Sequence, residues 1–336
     1  MNKLVKVILI AMLAFAFAAC GPKEVEEDKV FTVKLHHAQL ETTAMHLGSV
    51  KFKELVEAGT NGKVKIDIFP NAQLGTDTEA AEYIQTGSIQ AGIIPTAKLS
   101  GFHAPIQILD LPFLFPNRES LYKTMDDPEF LEKVFKPMET VGFKGINFWE
   151  SGFKQFTADR EIHAPADFVG TKFRTMESPL IIAQFKAVGS NPVPIDFAET
   201  YNALQQKIVN GQENPVVSIK NMKFYEVQSN MIISNHAYLG YAFLFGNTFW
   251  NTLPKEYQDV ILEAAVEAAE YERQLSIDSE ATMIAEIAAS GTTVTYLTEA
   301  EIAVFAAVMK PVHEEFRDVL GSDLLDLTYR LIEEYK

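Results

Sequence analysis

The chain has 336 residues, of which 47% are hydrophobic, and its 45 acidic side chains outweigh 29 basic ones for a formal net charge of −16. A single hydrophobic core stops growing at roughly 250–300 residues, so two domains are expected. The acidic balance argues against a nucleic-acid-binding surface and for a soluble globular body.

Residues 1–20, MNKLVKVILIAMLAFAFAAC, set Lys3 and Lys6 ahead of an apolar run that ends in small residues and Cys20. This is the layout of a secretory signal, and the run is short for a membrane span. Phe17-Ala18-Ala19-Cys20 reads as a bacterial lipobox with Phe in place of the usual Leu, so Cys20 is the expected lipidation site; a bare membrane anchor is the competing reading. Loss of the two lysines takes the charge to −18. Cys20 is the only cysteine, so the mature chain has no thiol for a disulfide, a nucleophile or a thiolate metal site. Residues 21–29, GPKEVEEDK, read as a polar tether between anchor and folded domain.

From residue 30 the periodicity alternates. Strand-like Val30–His36 and Val64–Phe69 flank a helical pattern over Thr42–Ala58, and a helix over Thr78–Gln85 leads to a strand at Ile89–Ile94. Strands linked by helical crossovers predict a doubly wound α/β sheet whose strand-end loops face a cleft. Ile108–Phe115, ILDLPFLF, is expected at the cleft wall or in the core. Helices near Glu119–Lys123 and Pro128–Val141 precede a strand at Phe143–Trp149, and Glu150-Ser151-Gly152 then marks a first hinge, where Gly152 absorbs dihedral change. Strands at Met231–Ser234 and Ala237–Phe245 surround a second crossover near Leu239-Gly240. These crossovers divide the chain into a first lobe of residues 30–151 plus 240–275 and a second of residues 152–239 plus 276–336.

Residues 255–290 contain neither Gly nor Pro, with Pro254 before them and Gly291 after. One helix spanning both lobes is expected; two helices broken near Ser276–Ser279 is the other reading. A strand at Thr292–Tyr296 and helices at Glu299–Leu320 and Asp323–Tyr335 complete the chain.

The stretch 169–215 carries the chemistry. Arg174 falls in mid-strand between Phe173 and Thr175, where a core-facing strand carries an aliphatic residue, so its charge needs an anion. That anion is either an internal carboxylate, Asp196 or Glu177, or a ligand acid, which a planar guanidinium matches with two parallel N–H···O bonds. A helix at Pro179–Val188, a strand at Pro192–Phe197 and a helix at Glu199–Val209 follow. Asn214 lies in an expected turn over residues 210–215, held extended by Pro215. Trp149 ends a strand at the hinge as a ligand contact or as ordinary core, Phe113, Phe115, Phe153 and Phe156 are further aromatic candidates for the cleft, and Gln39, Glu79 and Thr96 lie where the first lobe closes over it. No G-x-S-x-G, P-loop, G-x-G-x-x-G or H-E-x-x-H pattern occurs, so no enzyme, metal or cofactor is expected.

The segments GTKFRT, PVPIDFAETYNALQQKIVNGQENP and TNGKVKIDIFPNAQLGTD resemble the soluble binding proteins of TRAP transporters, the DctP family, over about Val30 to Gly291. The resemblance implies a two-lobed periplasmic-binding-protein fold with a lobe-spanning helix and an extracytoplasmic protein that captures a small organic acid for membrane permease subunits. By it, Arg174 clamps the substrate carboxylate, Asn214 bonds the same group, and Phe197 packs on the ligand. Lys154 falls where relatives carry a second Arg; a lysine is a point charge, so its contact is less directional, and lining the hinge surface is its other reading. A periplasmic sensor of organic acids is the alternative function.

Overall fold

The computed structural model describes residues 29–336, so the expected signal and Cys20 lie outside the described residues. Strands β1 (Phe31–His36), β2 (Val64–Phe69), β3 (Ala91–Pro95), β4 (Phe143–Ala158), β5 (Lys172–Thr175), β6 (Asn191–Pro194), β7 (Gly211–Pro215), β8 (Asn230–Gly246) and β9 (Thr293–Tyr296) form one nine-stranded sheet in the order β2-β1-β3-β8-β4-β7-β5-β6, with β9 added to β8. Neither β4 nor β8 is broken into two strands as the sequence suggested. Their antiparallel pairing runs from Phe143↔Gly246 to Ala158↔Asn230, with register shifts at Gly145/Asn147, Glu150/Gly152 and Lys154/Phe156. Bulges of this kind bend a strand without ending it, and to period-2 patterning they look like interruptions. Gly152 sits at the central shift with φ +112°, a conformation that an L side chain rarely adopts.

The sheet therefore serves two lobes. Parallel β2-β1-β3 joins the later half of β8 and the first half of β4; parallel β7-β5-β6 joins the second half of β4 and the first half of β8. The parallel character expected throughout is confined to the lobe edges, because β4 and β8 run antiparallel between the lobes. β6 carries Pro192 and Pro194 and stands at the sheet edge, where missing N–H donors cost no ladder bond.

Local sequence explains the helices. Helix Ala44–Gly59 starts at Thr43, whose side chain accepts from the His46 N–H, and helix Asp77–Thr86 starts at a capping box of Thr76 and Glu79 and stops at left-handed Gly87. The helix Lys255–Ala289 is continuous over 35 residues, about 50 Å at 1.5 Å per residue, and no break occurs at Ser276–Ser279. It lies on helix Ala44–Gly59 and β4 in the first lobe and on helix Val216–Asn221 in the second. Three apolar clusters hold the layers together, the first of them running under both lobes from Val33 and Phe52 to Phe173 and Phe305.

The C-terminus departs from the expected division. Helix Ser322–Glu334 packs on helices Arg118–Asp126 and Pro128–Phe135, and Leu324, Leu325 and Leu331 join the core of Leu121 and Phe130, so the final helices cover the first lobe. The segment Ile108–Phe115, expected at the cleft wall or in the core, is core: Ile108, Leu109, Leu111, Leu114 and Phe115 are buried in that same cluster. His313 ties the two together: its Nε2 is 2.7 Å from the Pro112 carbonyl oxygen and its Nδ1 2.7 Å from the Tyr329 hydroxyl. Burial lowers its pKa to about 4. The unfolded chain thus binds this proton first, and stability falls as pH drops from about 6.5 toward 4. His313→Gln is expected to remove up to about 2 kcal/mol of the stability lost between pH 6.5 and 5; denaturant titrations of both proteins at the two pH values check it, and equal slopes would show that His313 does not titrate.

Candidate functional site

β5 delivers Arg174 to the junction of the lobes. Its neighbours in register are Val193 on β6 and Gln212 on β7. Gly211 opens β7 because a Cβ there would lie 2.4 Å from the Thr157 carbonyl oxygen and 2.5 Å from the Phe173 ring, so only glycine lets β5, β7 and β4 close up. Arg174 is 2% exposed. Its Nε donates to the Ile195 carbonyl oxygen at 2.8 Å, and its Nη2 is buried without a hydrogen-bond partner. Neither Asp196 nor Glu177 forms an ion pair with it among the described residues; Asp196 pairs with Lys98. Burial drives the Arg174 pKa down to about 10, against the charges of Glu213 and Asp196. A buried guanidinium with a free N–H face is a site prepared for an anion.

Asn214 is not in a turn. It lies in β7, buried, opposite Gln155 of β4, and its Nδ2 donates to Gln212 Oε1 at 2.6 Å. Lys154, on the adjacent part of β4, is neutralised from within the protein: its Nζ is 3.0 Å from Glu213 Oε1 and 3.7 Å from Asp110 Oδ1. Glu213 also meets His236 Nε2 at 2.6 Å; that ring stacks on Phe156 at 3.8 Å and its Nδ1 is 2.7 Å from Ser234 Oγ. Burial alone would raise Glu213, yet Lys154 and His236 hold it down to about 2; Asp110, also buried, rises to about 6. Lys154 thus belongs to an ion cluster that neither reading of it from sequence anticipated.

A cavity of about 160 Å³ lies between the lobes, with Leu40, Asp77 and Lys98 from the first and Asp196, Phe197 and Met222 from the second among its walls. Arg174 stands behind its walls: its Nε bonds the carbonyl of Ile195, the residue before the wall residues Asp196 and Phe197, and the wall residue Asp77 is among the carboxylates that favour the Arg174 charge. Lys98 Nζ and Asp196 Oδ1, 3.1 Å apart, join the lobes across it. Phe197 stands in the cavity wall, edge-on to Phe224 at 6.2 Å. Gln39 lies between two wall residues, Ala38 and Leu40, with its Nε2 donating to the Tyr241 hydroxyl at 2.8 Å.

The remaining candidates lie elsewhere. Glu79 is exposed, and its carboxylate accepts the Thr76 N–H at 2.8 Å and hydroxyl at 2.9 Å, so it caps a helix. Thr96 is fully buried and donates to Asp110 Oδ2 at 2.8 Å. Trp149 is core: its indole N–H donates to Asn147 Oδ1 at 3.1 Å and its ring meets Phe243 edge-on. Phe113, Phe115, Phe153 and Phe156 pack in the apolar clusters. The sequence reading missed Asp77, Lys98, Leu40 and Met222; the only local signal was the Thr76-Asp77-Thr78-Glu79 capping box, which fixes a helix start and with it the direction of Asp77. Among the described residues no group of His, Cys, Asp or Glu is arranged to hold a metal ion, and no helix is long and apolar enough to cross a membrane.

Residues 35–318 match the family model of bacterial extracellular solute-binding proteins, family 7, known as DctP. The chain is 32% identical to the C4-dicarboxylate-binding periplasmic protein DctP of Rhodobacter capsulatus, over 94% of this chain and 95% of that one. A TRAP periplasmic solute-binding protein from Sulfurospirillum deleyianum with bound succinate superposes with a TM-score of 0.83 at 34% identity, over 92% of this chain and all of the other. Another, from Desulfovibrio salexigens with bound orotic acid, gives 0.86 at 32% identity, over 91% and 98%. The fold, with one sheet shared by two lobes and a cation at their junction, and these likenesses make this chain a member of the DctP family, a TRAP solute-binding protein for small carboxylates.

Proposed function

We propose that the carboxylate is held between the lobes on Arg174, with Asn214 beside it, and is then released to TRAP membrane permease subunits. The observation that carries this reading is the buried Arg174 Nη2 with no partner in the protein. Contacts with both lobes favour the closed form by the ligand's differential affinity for it. Phe197 closes the enclosure from the second lobe, and Gln39, bonded to Tyr241 between the wall residues Ala38 and Leu40, supports the first-lobe wall from behind. Lys154 acts at one remove: by matching Glu213 it keeps that carboxylate from cancelling the field of Arg174. Trp149, Glu79 and Thr96 support the frame and do not touch the ligand. The protein binds without turnover, so native mass spectrometry of the purified protein is expected to show a small organic acid released unchanged; an altered product would point to an enzyme.

The binding protein works outside the cytoplasm, in the periplasm, tethered through a lipid on Cys20. Cys20→Ser is expected to move it from the membrane fraction to the soluble fraction, and continued membrane association of the variant would rule out this anchor.

A further inference from the structure

The walls of the interlobe cavity specify more than an acid group. We infer that the ligand is a monocarboxylate with one compact apolar body, of phenyl or branched-alkyl size, and a hydroxyl beside its carboxylate; this rests on the reading that Arg174 holds a carboxylate.

The charge balance at the cleft admits one carboxylate. Of its three buried cations, Lys98 is matched by Asp196 at 3.1 Å and Lys154 by Glu213 at 3.0 Å. Arg174 alone presents an unpartnered donor face. A second ligand carboxylate would meet no unmatched cation and would face Asp77 and Asp196 in the cavity wall.

The walls of the cavity itself are mostly hydrocarbon. Leu40, Ala38 and Ala72 of the first lobe face Phe197 and Met222 of the second. The space, about 160 Å³, is close to the roughly 150 Å³ at which an apolar cavity takes up benzene. A polyol chain there would lose hydrogen bonds to water with few partners in return. A phenyl or isobutyl group loses none, and thioether and aromatic walls suit it.

The hydroxyl follows from Asp77. This residue is 8% exposed, lines the cavity, and its Oδ1 has no hydrogen-bond partner, the nearest candidate being His36 Nε2 at 3.5 Å. A carboxylate oxygen in that state accepts a proton donor and repels a keto oxygen, and its placement near Arg174 sets the donor close to the ligand's own carboxylate.

The test is a titration of the full-length protein, freed of ligand by unfolding and refolding, with 3-phenyllactate, 3-phenylpropionate, succinate and gluconate. 3-Phenyllactate is expected to bind at least about tenfold more tightly than succinate or gluconate, and about tenfold more tightly than 3-phenylpropionate. Asp77→Asn should erase the preference for the hydroxy acid, and Met222→Gln should weaken 3-phenyllactate about fivefold; circular dichroism reports whether each variant is folded. Succinate or gluconate binding as tightly as 3-phenyllactate, and dependent on Arg174, would overturn the apolar monocarboxylate and leave the carboxylate site standing. Binding of none of the four, or binding indifferent to Arg174, would remove both.

Discussion

Arg174→Met is expected to abolish ligand-dependent stabilisation while raising the stability of the ligand-free protein. The native guanidinium is buried, makes one bond to the Ile195 carbonyl and leaves Nη2 unsatisfied. An unsatisfied buried polar group costs about 1–3 kcal/mol, and more when charged, so an apolar side chain of similar length should return about that much to the empty protein. Ligand at a hundredfold excess over its Kd stabilises the native protein by about 2.7 kcal/mol, and the variant should show no measurable part of it. Two melting curves per protein, with and without ligand, separate the terms. A structural arginine would give the opposite pair of results: a less stable empty protein and an intact ligand shift. The opposite signs make the experiment decisive, because misfolding cannot raise the melting temperature.

Lys154→Ala should have the largest effect on folding of any change at the site. Lys154 is 1% exposed and neutralises Glu213, with Asp110 close behind. Removing one partner of a buried pair leaves the other charge uncompensated and costs about 3–5 kcal/mol. The loss should be smaller at pH 5 than at pH 8. Asp110, with its pKa already raised to about 6, takes up a proton readily at the lower pH and so relieves one of the two stranded carboxylates. Adding Glu213→Gln to the variant should recover about 0.5–3 kcal/mol, the range of coupling between residues in contact. Urea titrations of the four proteins of this cycle measure it. Simple additivity would show that Lys154 and Glu213 do not depend on each other, and ligand affinity would then have to explain the lysine.

Much of this was legible in the chain because single residues broke a local rule. Arg174 interrupts an apolar strand, and the absence of Gly and Pro from 255 to 290 exposes the long helix. What the sequence concealed depends on contacts between distant segments. Periodicity of two assigns a face to a side chain but not a partner, so it left Trp149 open between ligand contact and core, and the indole turns to Asn147 and Phe243. Glu79 read as a ligand contact because the same Thr-x-x-Glu spacing serves helix capping, and capping is the use made of it. Asp77, two positions earlier, is the residue that reaches the cavity. Lys98 and Asp196 could not be paired in advance, since their ion pair exists only where the two lobes meet.

The two shared strands also set when the chain can fold. The first lobe's β3 has β1 on one side but finds its second neighbour only in β8, with Ala91 opposite Phe245 and Pro95 opposite Tyr241. Closing so long a loop is slow, and until residue 246 has left the ribosome β3 is paired on one side only and β4 has no β8 along either half. In a nascent chain of this design the centre of the sheet stays open for most of its synthesis. The late strand β8 thus completes both lobes at once, since its two halves supply a neighbour to each.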